Sequence, residues 1–219
     1  MPSSDRASDV TGVVIAGGRS SRMDHHEKAL LDLAGEPMIG RIITRLRPQV
    51  GHLIINANGG PQRFAPFGLP VVADQMEGRE GPLAGLQAGL AWARRETPNA
   101  RFVASVAADT PFIPDDLVAR LRAALEEAEA FSAIAASAGE ATPIIGVWSI
   151  ALADALAEAL EDGVRAVHSF AAAQGSAVVE FPFVEVGGES VDPFFNVNTP
   201  DDLTKARALL VRAVEPARG

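Results

Sequence analysis

The chain has 219 residues, 19 Lys+Arg against 28 Asp+Glu, and no Cys. That length suits one large domain with enough apolar content to bury a core unaided. The absence of Cys excludes thiolate catalysis, Cys-ligated zinc and iron–sulfur clusters, and a net charge of −9 argues against a nucleic-acid binder.

Met1–Thr11 is polar, with no apolar signal region, and is expected to form a flexible tail ahead of a single domain over residues 12–214. Val13–Ala16 is the first predicted strand. From Pro37 to Val50, Met38, Ile39, Ile42, Ile43 and Leu46 fall on one helical face. His52–Ala57 and Pro70–Ala73 are strands two and three. Leu83, Leu86, Leu90 and Ala93 mark a helix, Arg101–Ala107 a fourth strand, and Pro114–Ala128 a helix with Leu117, Val118, Leu121 and Leu125 inward. Ala133–Ala136, Ile144–Trp148 and Val178–Val184 are later strands, with helices over Ala151–Glu161 and Val164–Ala173. Before the last helix, Thr199 suits the N-cap, Pro200 the first helical position and Asp202 the capping-box acid. Strands alternating with helices imply βαβ units and a mostly parallel sheet covered on both faces, a three-layer αβα architecture. The apolar runs are too short to span a membrane, so the cytoplasm is the expected location.

Ligands of open parallel sheets bind beyond the C-terminal ends of the strands. The first strand runs into Ile15-Ala16-Gly17-Gly18-Arg19-Ser20-Ser21-Arg22-Met23-Asp24-His25-His26-Glu27-Lys28. Paired glycines let backbone N–H groups approach an anion, and Arg19, Arg22 and Lys28 add cations suited to a triphosphate. Neither a G-x-G-x-x-G nor a G-x-x-x-x-G-K-[ST] motif follows the strand. By itself the loop is equally a tight turn with solvated charges. Lys28 carries more weight: the chain has 17 Arg and only two Lys, Lys28 and Lys205. In a sequence that favours Arg, a Lys here suggests a compact, mobile charge that follows phosphate oxygens.

Asp109, in Ala108-Asp109-Thr110-Pro111, ends the fourth strand, where a carboxylate can hold Mg²⁺ or cap the turn. Asp74 ends the third strand. Asn56 and Asn58 end the second; their short polar groups could bind ribose or base or satisfy the turn backbone, and beside Gly59-Gly60 the turn role is favoured for Asn58. Gly81-Pro82-Leu83-Ala84-Gly85 opens a helix whose N-terminus could face an anion or base, or whose small residues serve packing. Asn196 and Asn198 are two apart on an extended segment and share one side of it. Trp92 and Trp148 are read as packing residues.

Together, Ile15-Ala16-Gly17-Gly18, Arg22-Met23, Lys28, Asn56-Ala57-Asn58, Val72-Ala73-Asp74, Gly81-Pro82-Leu83-Ala84-Gly85, Ala108-Asp109-Thr110-Pro111 and Asn196-Val197-Asn198-Thr199-Pro200 resemble the molybdenum cofactor guanylyltransferases, from Thr11 to about Leu210. The resemblance implies a Rossmann-like nucleotidyltransferase that transfers GMP from GTP to molybdenum-molybdopterin, with Mg²⁺, releasing pyrophosphate. It assigns GTP contacts to Ile15, Ala16, Gly17, Gly18, Lys28, Asn56, Asp74, Gly81 and Asp109, and catalysis to Lys28, Arg22 and Asp109. Asp109 would be the metal ligand, and Asn196 and Asn198 would lie on the acceptor side or near the metal. It also implies a monomer that makes transient contact with a molybdenum-insertion or molybdoenzyme chaperone protein, with no nucleic acid or membrane partner.

The chain departs from that family where Asp24-His25 replaces a usual Gly-Gly, Glu27 an Asp, and Thr142-Pro143 a common His-Pro. A CTP-dependent cytidylyltransferase of the same cofactor is disfavoured by Gly17 where such enzymes carry Ala, and by Asn198 before the final Thr-Pro where they carry Asp. A non-catalytic cofactor-delivery protein is the reading from another class, disfavoured by Lys28 and Asp109. The charge also divides: residues 1–108 carry 12 basic and 10 acidic side chains, net +2, and residues 109–219 carry 7 and 18, net −11. The acidity therefore lies after the loop proposed for phosphate.

Overall fold

The strands at the centre of the molecule are apolar over most of their length, which demands cover on both faces. The computed structural model describes residues 8–17, 28–75 and 81–214. β1 (Val10–Ile15) is buried along its whole length. It pairs in parallel with β2 (His52–Asn56) on one side and β4 (Phe102–Ala107) on the other. β2 continues to a two-residue β3 (Val71–Val72). Beyond β4 come β5 (Ser132–Ser137), β6 (Glu140–Ser149) and β7 (Ala177–Glu180), giving the order β3-β2-β1-β4-β6-β5-β7. β6 runs antiparallel between β4 and β5, while β7 is parallel to β5.

The side chains of β1 alternate between two cores. Val10 and Val14 pack on one face with α1 (Met38–Leu46) and α3 (Leu117–Glu127). Val13 and Ile15 pack on the other with α2 (Pro82–Glu96), α4 (Ala153–Glu161) and α5 (Val167–Ala173). A third cluster joins α6 (Pro200–Val214) to a hairpin of β8 (Val184–Val186) and β9 (Glu189–Val191), and to Leu33, Met38 and Phe112. No helix among the described residues is long and apolar enough to cross a membrane.

Several boundaries differ from the sequence expectation, and three of the differences are instructive. β1 begins at Val10, and Val10 and Thr11 are fully buried, so the last residues of the expected Met1–Thr11 tail belong to the sheet. Thr11 is retained there because its hydroxyl meets that of Thr97 at 3.1 Å. The helix expected to reach Val50 ends at Leu46 and tightens into a 3₁₀ turn over Arg47–Gln49, since Pro48 has no N–H with which to continue it. The run Val178–Val184 divides: β7 stops at Glu180, and Val184 opens the separate β8 hairpin, with Pro182 between them.

β6 is also longer than its apolar run suggests. Ile134 of β5 faces Gly146, but the next residue, Ala135, faces Thr142, so Pro143, Ile144 and Ile145 have no partner on β5. A bulge of this kind re-aims the strand end. The Ile144 carbonyl freed by it accepts the Ser105 hydroxyl at 2.7 Å, and Trp148 Nε1–H donates to the same Ser105 oxygen at 2.9 Å. Trp148 is thus a packing residue with a polar tie. Ser105→Ala leaves the indole N–H and the Ile144 carbonyl unpaired in the core, and is expected to cost about 2–4 kcal/mol. A lower urea midpoint with an unchanged slope is the expected result.

Candidate active site

The strand order fixes which loops meet. β3, β2, β1 and β4 are neighbours and parallel, so their C-terminal ends bring Asp74, Asn56, Gly17 and Asp109 to one edge in that sequence. At about 4.8 Å per strand, the ends of β2 and β4 lie about 10 Å apart. Gly18 and Arg22 lie outside the described residues, as do Arg19 and the Asp24–Glu27 departure.

Ile15 sets the floor of this edge. Its side chain is in the core, its carbonyl accepts the Ala108 N–H at 3.0 Å, and the following Ala16 N–H donates to the Asn56 carbonyl at 2.8 Å. The Ala16 amide is therefore engaged in the sheet rather than turned to a ligand. Gly17 leaves room beside Asn56: a Cβ there would stand 3.6 Å from Asn56 Oδ1.

Asn56, Asn58 and Asp74 form one hydrogen-bonded group. Asn56 Nδ2 donates to Asp74 Oδ1 at 2.9 Å and to the Val72 carbonyl at 3.1 Å. Asn58 Nδ2 donates to Asp74 Oδ2 at 2.8 Å, and the Asp74 N–H returns a bond to Asn58 Oδ1 at 2.9 Å. Asn58 is thus more than a turn residue, because it fixes the Asp74 carboxylate from the far side. The clue in the sequence was the Asn-x-Asn spacing, but its partner lies 16 positions away. The first turn of α2 covers this group. Gly81, at φ 142°, enters a region that side chains rarely adopt and precedes Pro82 at the first helical position. Gly85 is required for closeness, since a Cβ on it would collide with Asn56 Oδ1.

On the β4 side the geometry centres on Lys28. Lys28 opens a 3₁₀ turn anchored by the buried Ala29. Its Nζ donates to Asp109 Oδ2 and to Asn198 Oδ1, both at 2.5 Å, and to Asn196 Oδ1 at 3.3 Å. The ammonium and carboxylate are both largely shielded, with 16% and 22% side-chain exposure, so the pair depends on its further hydrogen bonds to offset desolvation. The Asp109 loop is clamped by its own carbonyl, which accepts the Val197 N–H at 2.9 Å, and by Thr110 Oγ1, which donates to the Ala107 carbonyl at 3.0 Å. Val197 is fully buried in the third cluster, and alternation along the segment turns Asn196 and Asn198 the other way, onto Lys28.

A divalent cation fits this donor set. Asp109 Oδ1 is buried without a hydrogen-bond partner among the described residues. One carboxylate with nearby amide oxygens is how Mg²⁺ is held when substrate phosphates complete its shell. No group of three or more His, Asp or Glu side chains suited to a metal occurs among the described residues, so the cradle is built from one acid and two amides.

Asp202 holds the last piece. Its Oδ2 accepts from the Asn198 N–H at 3.0 Å, the Thr199 N–H at 2.8 Å and the Thr199 hydroxyl at 2.8 Å, while its own N–H donates to Thr199 Oγ1 at 3.1 Å. This is the reciprocal capping box expected at Thr199. Burial pushes the Asp202 carboxyl upward, but the Thr199 and Asn198 hydrogen bonds and the Lys28 charge outweigh it and hold the value below the ordinary 3.8. A depressed carboxyl contributes stability that is complete above its ordinary value and lost as pH falls through the lowered one. Asp202→Asn is expected to remove that acid-limb dependence and loosen Asn198, read as a flatter pH–stability profile below pH 5 or so.

Residues 12–177 match the MobA-like NTP transferase domain. A protein of Rhodopseudomonas palustris named molybdenum cofactor guanylyltransferase is 44% identical over 97% of this chain and 99% of its own length. One of the same name from Mesorhizobium japonicum is 46% identical over 92% and 96%. Among solved structures, a molybdopterin-guanine dinucleotide biosynthesis protein A from Archaeoglobus fulgidus superposes with a TM-score of 0.69 at 21% identity, over 92% of this chain and 99% of that one, a likeness of fold.

Proposed function

Because the chain belongs to the MobA-like NTP transferase family, with molybdenum cofactor guanylyltransferases among its relatives, we propose that it transfers GMP from GTP to molybdenum-molybdopterin. The observation that carries this reading is the meeting of Lys28, Asp109, Asn196 and Asn198 at the strand edge that also carries Asn56 and Asp74. A phosphate oxygen of the acceptor attacks the α-phosphorus of GTP, the bond between the α-phosphorus and the bridging oxygen breaks, and pyrophosphate leaves. The products are the molybdenum-bearing molybdopterin guanine dinucleotide and pyrophosphate.

The acceptor phosphate is largely ionised near neutral pH, its second pKa being about 6, so no strong general base is needed. The remaining task is to bring anions together and stabilise charge at the α-phosphate. Lys28 supplies a mobile cation for the phosphates, with Arg22 assigned to the same work. Asn56 and the fixed Asp74 carboxylate meet the nucleoside under the first turn of α2, and Gly17, Gly18 and Gly81 let the ligand approach the backbone. Asp109 would hold Mg²⁺, and Asn196 and Asn198 border the metal and the acceptor. Mg²⁺, when bound, neutralises phosphate charge and polarises the phosphoryl oxygens.

Pyrophosphate release measured with molybdopterin, Mg²⁺ and either GTP or CTP tests the reading. GTP is expected to support turnover and CTP to fail. Asp109→Ala and Lys28→Ala are expected each to lower turnover by about 10²-fold or more, with folded far-UV spectra retained. Near-normal GMP transfer by either variant overturns the assignment. Gly85→Ala tests the nucleoside side separately: Ala favours the helix by about 1 kcal/mol, yet its Cβ displaces Asn56. The expected result is a KM for GTP raised about tenfold with kcat little changed, together with a lower melting temperature, because the overpacking and the displaced Asn56 hydrogen bonds outweigh the helix gain.

A further inference from the structure

The cradle around Lys28 has the composition of a metal site with an ammonium in it. Asp109 Oδ2 and Asn198 Oδ1 each lie 2.5 Å from Nζ, and Asn196 Oδ1 lies 3.3 Å away. A carboxylate and amide carbonyls are oxygen donors of the kind a hard divalent cation takes. An ammonium has three protons, and these three acceptors use them all. The second carboxylate oxygen, Asp109 Oδ1, stays buried without a hydrogen-bond partner among the described residues. Lysine therefore satisfies the cradle's charge but not all its acceptors.

We propose that Lys28 is the resident cation of this cradle in the nucleotide-free protein, and that a divalent cation arriving with the nucleotide takes its place and releases the ammonium to the triphosphate. This rests on the nucleotidyl-transfer reading above and adds an order of events to it. A divalent cation and an ammonium repel strongly when they converge on the same few oxygens in a shielded site. Metal alone must compete with Lys28 for Asp109. Metal carried on a triphosphate brings the anions that Lys28 needs on leaving, so the exchange becomes favourable when both arrive.

The choice of residue agrees. Lysine's compact charge on a four-carbon stem can move between sets of acceptors, whereas the planar fork of arginine is committed to one geometry. In a chain with 17 Arg and two Lys, one of the two lysines stands here. The acceptors it would leave are held independently of it. Val197 anchors the Asn196–Asn198 segment to the Asp109 carbonyl, and Asp202 holds the Asn198 backbone. The cradle therefore keeps its shape when Lys28 departs.

Two measurements on the full chain test this without relying on turnover. The first is Mn²⁺ binding to nucleotide-free protein, followed by the paramagnetic resonance signal of free Mn²⁺. Lys28→Met is expected to bind Mn²⁺ about tenfold or more tightly than wild type, because the competing charge is gone. Lys28→Arg, which keeps the charge, should not gain, and adding Asp109→Asn to Lys28→Met should abolish the gain. Equal or weaker binding by Lys28→Met overturns the proposal.

The second measurement uses wild type alone, so no variant need fold. The chain has two lysines, and amine acylation read by peptide mass spectrometry reports them separately, with the exposed Lys205 as internal control. At Mn²⁺ concentrations that fill the site, Lys28 labelling should rise about fivefold relative to Lys205, and fall again when GTP is added. Labelling of Lys28 that ignores Mn²⁺ overturns the exchange. Pyrophosphate release by wild type reports the function reading on its own: release without exchange sinks only this inference, and exchange without release sinks the nucleotidyl-transfer reading.

Discussion

The ammonium of Lys28 is the point at which three distant parts of the chain become one site. It touches Asp109 at the end of β4 and Asn196 and Asn198 before α6, which are 168 and 170 positions away from it in sequence. A single positive charge can organise these groups because burial has already delivered them. Ala29 is in the core beside Lys28, Val197 is in the core between the two asparagines, and the Asp109 carbonyl is tied to the Val197 amide. Without that apolar anchoring, the entropy of ordering a lysine and two exposed asparagines would outweigh a partly screened ion pair.

The other end of the edge uses neutral and negative groups in place of a cation. Asp74 is held by Asn56 and Asn58 through side-chain and backbone bonds, leaving its charge uncancelled by any Lys or Arg contact among the described residues. A carboxylate fixed in direction but not neutralised is suited to accept hydrogen bonds from a ligand's N–H or O–H groups. The edge is therefore polarised: acceptors lie over β2 and β3, and a cation in an oxygen cradle lies over β4.

Polar groups inside the sheet serve the same rigidity. Ser105 lies on β4, four residues before Asp109, and binds both Trp148 and the bulge carbonyl of Ile144. The bulge sets how β6 leaves the sheet beside the end of β4, and Thr142 stands at its far side. The net charge of −9 is no obstacle to an anionic ligand in such a place. The field at a small shielded site is set by the nearest charges and aligned amides, and distant solvated acids on helix faces contribute little at ordinary ionic strength.

Much of this was legible in the residues themselves. The apolar run Val13–Ala16 and the largely apolar Phe102–Ala107, interrupted only by Ser105, specify buried strands because two-sided burial tolerates them, and Thr199-Pro200-Asp201-Asp202 specifies a helix start because its donors and acceptors are local. Lys28 and Asp109 stood out by composition and by position at strand ends. What sequence could not decide was which distant group each side chain would meet. The antiparallel insertion of β6 between β4 and β5 is not visible in a pattern of alternation, which is the same for either direction. The split of Val178–Val184 depends on where the sheet runs out of partners. The roles of Asn58, Gly85 and Ser105 depend on neighbours 16, 29 and 39 positions away, since hydrogen bonds and van der Waals closeness are made in space. Local periodicity determined the elements, and only the packed sheet decided their neighbours, because the burial that orders the strands draws on the whole chain at once.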